Sequence, residues 1–122
     1  MTKKILIAED SPTMRSLIIS TLAAVGDFEI IEAANGFEAL RLLPREKVDL
    51  VITDINMPDI NGLELVSFVR SNPNYQSTPL FIITTEGSER DREKGLALGA
   101  DAYLVKPFSP EELQRLVQDY LP

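Results

Sequence analysis

Ile5-Leu6-Ile7-Ala8-Glu9-Asp10-Ser11-Pro12 reads as a strand handing over to a helix. Ile5 to Ala8 is a continuous apolar run, which suits a strand covered on both faces, as in a parallel sheet. Ser11 and Pro12 then supply an N-cap and a first helical residue. Behind them Met14, Leu17, Ile18, Leu22 and Val25 recur at helical spacing. Between strand and helix stand two acids.

The same alternation continues to the end of the chain. Further strand-like runs are Phe28–Ala33, Leu50–Thr53, Leu80–Thr84 and Ala102–Val105. The run from Phe28 carries Glu29 and Glu32 inside it, which suits an edge strand. Phe37, Leu40 and Leu43 mark a second helix, and Leu65, Val66, Phe68 and Val69 a third that starts after Asn61-Gly62. Ser88 to Lys94 is almost wholly polar and is followed by Gly95 and Gly99, so the fourth helix is expected to pack least firmly. Ser109-Pro110-Glu111-Glu112 has the residues of a capping box with Pro at the first helical position. It opens a last helix with Leu113, Leu116, Val117, Tyr120 and Leu121 on its apolar face. Strictly alternating strands and helices imply an α/β fold: an open five-stranded parallel sheet with right-handed crossovers and helices on both faces. The length fits the flavodoxin-like strand order 2-1-3-4-5, a known arrangement of such sheets. One domain over residues 1–122 is expected.

Composition removes whole classes of chemistry. The 122 residues include no Cys and no His, so disulfides, thiolate metal sites, His-based triads and phosphohistidine on this chain are all excluded. The formal net charge of −7 argues against nucleic-acid binding as the main task. Apolar runs are far shorter than the roughly 20 residues of a membrane span, and the first one is too short for a signal peptide. A cytoplasmic protein away from membranes is the expectation.

In an open parallel sheet, ligands bind beyond the carboxyl ends of the strands. Read there, the chain supplies Glu9 and Asp10 after strand one, Asn35 and Gly36 after strand two, and Asp54 after strand three. Strand four ends at Thr84-Thr85-Glu86 and strand five at Lys106-Pro107. With strands about 4.8 Å apart, Asp10 and Asp54 are neighbours, Thr84 lies on the far side of Asp54, and Lys106 reaches inward on its four-carbon stem. Two carboxylates about 5 Å apart repel by about 3 kcal/mol at an effective dielectric of 20. Either one acid keeps its proton or a cation joins them. The available ligands are all oxygen, which selects a hard ion such as Mg²⁺. A carboxylate beside Mg²⁺ and a lysine is a nucleophile toward phosphorus, giving an aspartyl phosphate. Thr84 and Lys106 are then the groups to hold the phosphoryl oxygens.

Taken singly, these residues have plainer readings. Glu9-Asp10 complements a helix dipole, Asp54 is a turn acid, Thr84 an ordinary strand residue, Lys106 a solvated lysine and Tyr103 a packing residue. Together and in order they resemble the receiver domain of two-component response regulators. The resemblance rests on Glu9-Asp10, Asp54-Ile55-Asn56-Met57-Pro58-Asp59 followed by Asn61-Gly62, Thr84, and Lys106-Pro107-Phe108, and spans essentially the whole chain. Asn56, Glu86 and Tyr103 add a likeness to single-domain chemotaxis regulators.

The resemblance implies roles. Asp54 accepts the phosphoryl group from a sensor histidine kinase or phosphotransfer protein. Glu9, Asp10, Asp54 and the Asn56 backbone carbonyl hold Mg²⁺. Lys106, ahead of a cis bond to Pro107, contacts the phosphoryl group. Thr84 senses it, and Tyr103 turns inward to report it to a downstream protein through the fourth helix, strand five and the last helix. Asn56 and Glu86 frame the hydrolytic water and set a short phosphate lifetime. Thr85 departs from the small residue common there, which implies slow labelling by small phosphodonors. Such a domain is a signalling switch rather than an enzyme, acting only on its own aspartyl phosphate. Two other functions on this fold fit less well. A flavin carrier needs a Gly- and hydroxyl-rich phosphate loop where Glu9-Asp10 stands. An Asp-nucleophile phosphatase needs a second Asp where Asn56 stands, and a substrate cap.

Overall fold

The computed structural model describes residues 2–85 and 87–122. Five strands alternate with five helices: β1 (Lys4–Ala8), α1 (Pro12–Ala23), β2 (Glu29–Ala33), α2 (Gly36–Leu42), β3 (Leu50–Thr53), α3 (Gly62–Ser71), β4 (Leu80–Thr84), α4 (Glu89–Leu98), β5 (Ala102–Val105) and α5 (Pro110–Tyr120). All neighbouring strands pair in parallel, in the order β2-β1-β3-β4-β5. β1, β3 and β4 are the interior strands, and their apolar runs are fully covered from Ile5 to Ala8, Leu50 to Thr53 and Leu80 to Thr84.

Strand alternation divides the core between the two faces of the sheet. Ile5, Ile7, Leu50, Ile52, Phe81, Ile83 and Leu104 pack on Ile18 and Leu22 of α1 and Leu113 and Val117 of α5. Leu6, Ala8, Val51, Leu80 and Ile82 face the other way, onto Ala39, Leu43, Leu65, Val66 and Val69. Burying a side chain of this size contributes about 1.5–3 kcal/mol.

Two helix faces differ from the expected ones. On α1, Ile18, Thr21 and Leu22 are buried while Leu17 is 47% exposed. One residue is about 100° of helical turn, so the stripe through Ile18 and Leu22 carries Leu17 to its rim. Thr21 takes the inner place because its hydroxyl donates to the Leu17 carbonyl at 2.8 Å. On α2, Gly36 and Ala39 face inward and Phe37 is 63% exposed.

The fourth helix is longer than its polar start suggests. Ser88 caps it, accepting from the Asp91 N–H, and Gly95 is its one buried residue among those described. The two glycines have distinct jobs. A Cβ on Gly95 would sit 2.9 Å from Ile82 Cδ1 and 3.4 Å from the Tyr103 ring, so its bareness lets α4 approach the sheet. Gly99 ends the helix in a left-handed conformation, φ 117°, which side chains adopt only at a cost. Arg70 clasps that end: it donates to the Gly99 carbonyl at 2.9 Å, to the Thr78 carbonyl at 2.7 Å and to Asp101 at 2.8 Å.

At the start of α5, the Ser109 hydroxyl accepts from the Glu112 N–H at 3.3 Å and lies 3.1 Å from the Glu111 carboxylate. The box with both arms made is at α3, between Asn61 and Glu64.

Candidate functional site

Register brings the candidate residues to one edge. Ala8 pairs with Thr53, and the Asp54 N–H extends that ladder onto the Ala8 carbonyl at 3.0 Å. Glu9 does the same on the other side, its N–H donating to Ala33 at 3.0 Å. Thr84 pairs with Val105, and the Lys106 N–H donates to the Thr84 carbonyl at 2.8 Å. Glu9, Asp54 and Lys106 therefore each stand one step past the end of a strand, on backbone that the sheet holds.

Their side chains meet. Lys106 Nζ lies 2.6 Å from Glu9 Oε1 and 3.0 Å from Asp54 Oδ2. Glu9 is 2% exposed and Asp54 6%. The other Glu9 oxygen accepts from the Ser11 N–H at 3.0 Å. Asp54 Oδ1 accepts from the N–H groups of Ile55 at 2.7 Å and Asn56 at 3.3 Å. Among the described residues, no buried side-chain polar atom lacks a partner. Oxygens of Glu9, Asp10 and Asp54 lie within 4.8 Å of one another, with Asp10 exposed at the mouth. This all-oxygen donor set fits a hard divalent ion such as Mg²⁺, which binds through one or two carboxylates and keeps water on its remaining positions.

Burial pushes the Glu9 carboxyl above its ordinary range, and the Asp54 charge adds to that. The Lys106 ammonium and the Ser11 N–H pull it partly back. Burial also works against the charged form of Lys106, but hydrogen bonds and attraction from Glu9 and Asp54 outweigh it and hold the ammonium above its ordinary value. The sequence leaves open whether a proton or a cation relieves the clustered acids; in the folded chain the Lys106 ammonium lies between two of them.

The remaining candidates surround this triad. Thr84 is fully buried at the end of β4, and Thr85 is exposed. Asn56 is exposed beside Asp54. The Lys106–Pro107 bond is cis. Glu86 lies outside the described residues. Tyr103 is buried at 9% exposure, and its ring occupies space that Gly95 leaves beside α4.

Two further residues shape the site. A Cβ on Gly62 would collide with the Asp54 carbonyl, so the start of α3 can close on the Asp54 backbone only with glycine there. That carbonyl also accepts from the Thr53 hydroxyl at 2.9 Å. Arg15, to which the sequence reading assigns no role, donates to the Glu9 carbonyl at 2.6 Å and to the Glu32 carboxylate at 3.1 Å. Its signal in the sequence is position: four residues after the N-cap Ser11, a long side chain reaches back over the preceding loop.

The chain is similar to known proteins along almost its whole length. The chain is 43% identical over 119 residues to a "Chemotaxis protein CheY homolog" of Campylobacter jejuni, covering 97% of this chain and 92% of that one. The structure of the chemotaxis response regulator CheY4 of Vibrio cholerae superposes with a TM-score of 0.88 at 39% identity, over 99% of this chain and 100% of that chain. The receiver domain of a Pseudomonas aeruginosa sensor histidine kinase, described with a magnesium ion coordinated in its active-site cleft, superposes at 0.87 with 30% identity, over 98% of each chain. No helix among the described residues is long and apolar enough to cross a membrane. Residues 5–118 match the response regulator receiver domain, and the chain belongs to that family of two-component signalling switches.

Proposed function

We propose that residues 1–122 form one phospho-switched domain in which Asp54 accepts a phosphoryl group from the phosphohistidine of a sensor kinase or phosphotransfer protein. The observation that carries the reading is the bridge of Lys106 Nζ to both buried acids of the cluster, Glu9 and Asp54. An Asp54 oxygen attacks phosphorus, the P–N bond of the donor breaks, and an acyl phosphate forms. Lys106 then turns from the carboxylates to the phosphoryl oxygens, and the Thr84 hydroxyl donates to one of them. Glu9, Asp10, Asp54 and the Asn56 carbonyl would hold Mg²⁺. The magnesium described for the Pseudomonas receiver supports that choice of ion. When bound, the ion offsets negative charge on the carboxylates and the phosphoryl oxygens. Hydrolysis by water returns Asp54 to its carboxylate, with Asn56, exposed beside Asp54, helping to keep the lifetime short. The domain acts on no other substrate.

The output face is α4, β5 and α5, read by a downstream protein. Val105 and Tyr120 are exposed there at 42% and 38%. The Tyr103 ring, lodged against Gly95 of α4, links the strand carrying the phosphate sensor's neighbour to that face. Any shift is limited by what the phosphoryl group contacts differently in the two states.

Incubation with Mg²⁺ and a small phosphodonor or a cognate kinase should add one phosphoryl group, labile to hydroxylamine, and Asp54→Asn should abolish it. Thr85 predicts that the kinase labels faster than the small donor. Modification on a hydroxyl residue would overturn the reading. Beryllofluoride should shift amide resonances across α4, β5 and α5; an unchanged face would remove the proposed output surface.

A further inference from the structure

We propose that Arg15 is a positioning residue for the cation site, holding the Glu9–Asp10 peptide so that the Asp10 carboxylate points into the acidic cluster. This inference rests on the reading that Glu9, Asp10 and Asp54 bind Mg²⁺.

Every other polar group of Glu9 is tied to something else. Its N–H is in the sheet ladder with Ala33, one carboxylate oxygen is on Lys106 and the other on the Ser11 N–H. The carbonyl remains, and Arg15 Nη1 donates to it at 2.6 Å. That carbonyl belongs to the peptide that leads into Asp10. Asp10 is exposed, and a short acid on an exposed loop takes its direction from its backbone. Fixing the peptide plane therefore fixes where its carboxylate lies relative to those of Glu9 and Asp54.

Arg15 is itself held in place. Its N–H donates to the Ser11 carbonyl at 2.9 Å in the first turn of α1. Its Nε donates to Glu32 Oε1 at 3.1 Å, and its side chain is 17% exposed. A planar guanidinium serves two acceptors in different directions, one on Glu9 and one on β2. Glu32 is half-exposed, so this ion pair adds little stability; its effect is to aim the fork.

Charge and positioning make opposite predictions, which gives the test its force. A guanidinium held on the Glu9 backbone carbonyl repels a divalent cation bound at the adjoining acids, so deleting it should tighten Mg²⁺ binding if charge alone matters. If Arg15 positions Asp10, deleting it should weaken binding. Mg²⁺ is titrated into ¹⁵N-labelled wild type, Arg15→Ala and Arg15→Lys, following the Asp10 and Asp54 amides, with thermal melting of each metal-free protein alongside. We expect Arg15→Ala to bind roughly 10-fold more weakly, the low end for residues that orient metal ligands. Arg15→Lys, which keeps reach and one donor, should recover most of the loss. If Arg15→Ala disturbs amides across the sheet, Arg15→Met keeps the apolar stem and carries the comparison. Affinity in the Ala or Met variant equal to or above wild type overturns the inference alone. Wild-type protein that fails to bind Mg²⁺ overturns it together with the functional reading beneath it.

Discussion

Replacing Lys106 by Met should make the stability of the metal-free protein fall more steeply with rising pH. The wild-type ammonium sits 2.6 Å from Glu9 and 3.0 Å from Asp54. Without it, two buried carboxylates face each other with oxygens within 4.8 Å. At an effective dielectric of 20 that repulsion is about 3.5 kcal/mol. The alternative is for Glu9 to take up a proton. From its ordinary value of 4.5, this costs about 3.4 kcal/mol at pH 7, at 1.36 kcal/mol per unit. The two routes cost the same, and both fall near the low end for removing one partner of a buried ion pair. The variant should therefore lose about 3 kcal/mol at pH 7, or roughly 10 °C in melting temperature.

The sign of the pH effect follows from proton counting. Burial already raises the Glu9 pKa, and losing the lysine raises it further. Between 4.5 and that raised value, the folded variant holds a proton that the unfolded chain does not. Its stability then falls as pH rises through the window. At about pH 5.5 the proton route costs only about 1.4 kcal/mol, so the deficit against wild type should more than halve. Urea denaturation in chelator, followed by circular dichroism at both pH values, measures this. Adding Glu9→Gln should remove the pH dependence, and saturating Mg²⁺ should narrow the deficit at pH 7. A variant as stable as wild type, or one whose deficit is the same at both pH values, would refute the idea that Lys106 is the counter-ion of this pair.

Lys106 itself gives the matching alkaline prediction. Its pKa is held above the ordinary 10.5, so its contribution is complete below 10.5 and is lost as pH climbs through the raised value; the urea midpoints of wild type and Lys106→Met should converge only above that point. Gly62→Ala should cost about 1–3 kcal/mol, the usual penalty for overpacking, because the new methyl meets backbone at Asp54 rather than a flexible side chain. Its denaturation midpoint should fall, with Asp54 and Ile55 amides the most shifted. Arg70→Ala should cost about 2–3 kcal/mol from lost charge-assisted hydrogen bonds, and hydrogen exchange should show α4 losing protection first.

The fold was legible because interior parallel strands write themselves as unbroken apolar runs. Ile5–Ala8, Leu50–Thr53 and Leu80–Thr84 needed no partner to be recognised, and the charged run ending at Ala33 is on the edge. Helix faces were less legible. Leu17 and Phe37 are hydrophobic and correctly spaced, yet neither is buried. The places they seemed to claim went to Thr21, Gly36 and Ala39, small residues that let helix and sheet come closer. The glycines of α4 carry two meanings. Propensity counts Gly95 and Gly99 as weaknesses, and α4 does bury only one of its described residues, but one glycine is also the contact with Tyr103 and the other the stop. Propensity is a property of one residue, and these are properties of pairs.

The site divides along the same line. That Glu9, Asp10, Asp54, Thr84 and Lys106 share an edge follows from chain direction alone, since every parallel strand ends on the same side. Which atoms touch does not follow. Lys106 and Glu9 are 97 residues apart, and the reading that sent the lysine toward a phosphoryl group had no means of finding its resting place between two carboxylates. That resting place changes the energetics. Clustered acids call for a proton or a cation, and an internal ammonium offsets part of their repulsion while the Glu9 carboxyl still stays above its ordinary range. A cation entering from the Asp10 side therefore competes with a charge that belongs to the chain. On the Mg²⁺ reading proposed above, it would gain less from Glu9 and Asp54 than three bare carboxylates would offer, and more of its affinity would depend on Asp10, which Lys106 does not bridge. The alignment of Asp10, and with it the proposed grip of Arg15 on the preceding peptide, would then set how well the cation is held.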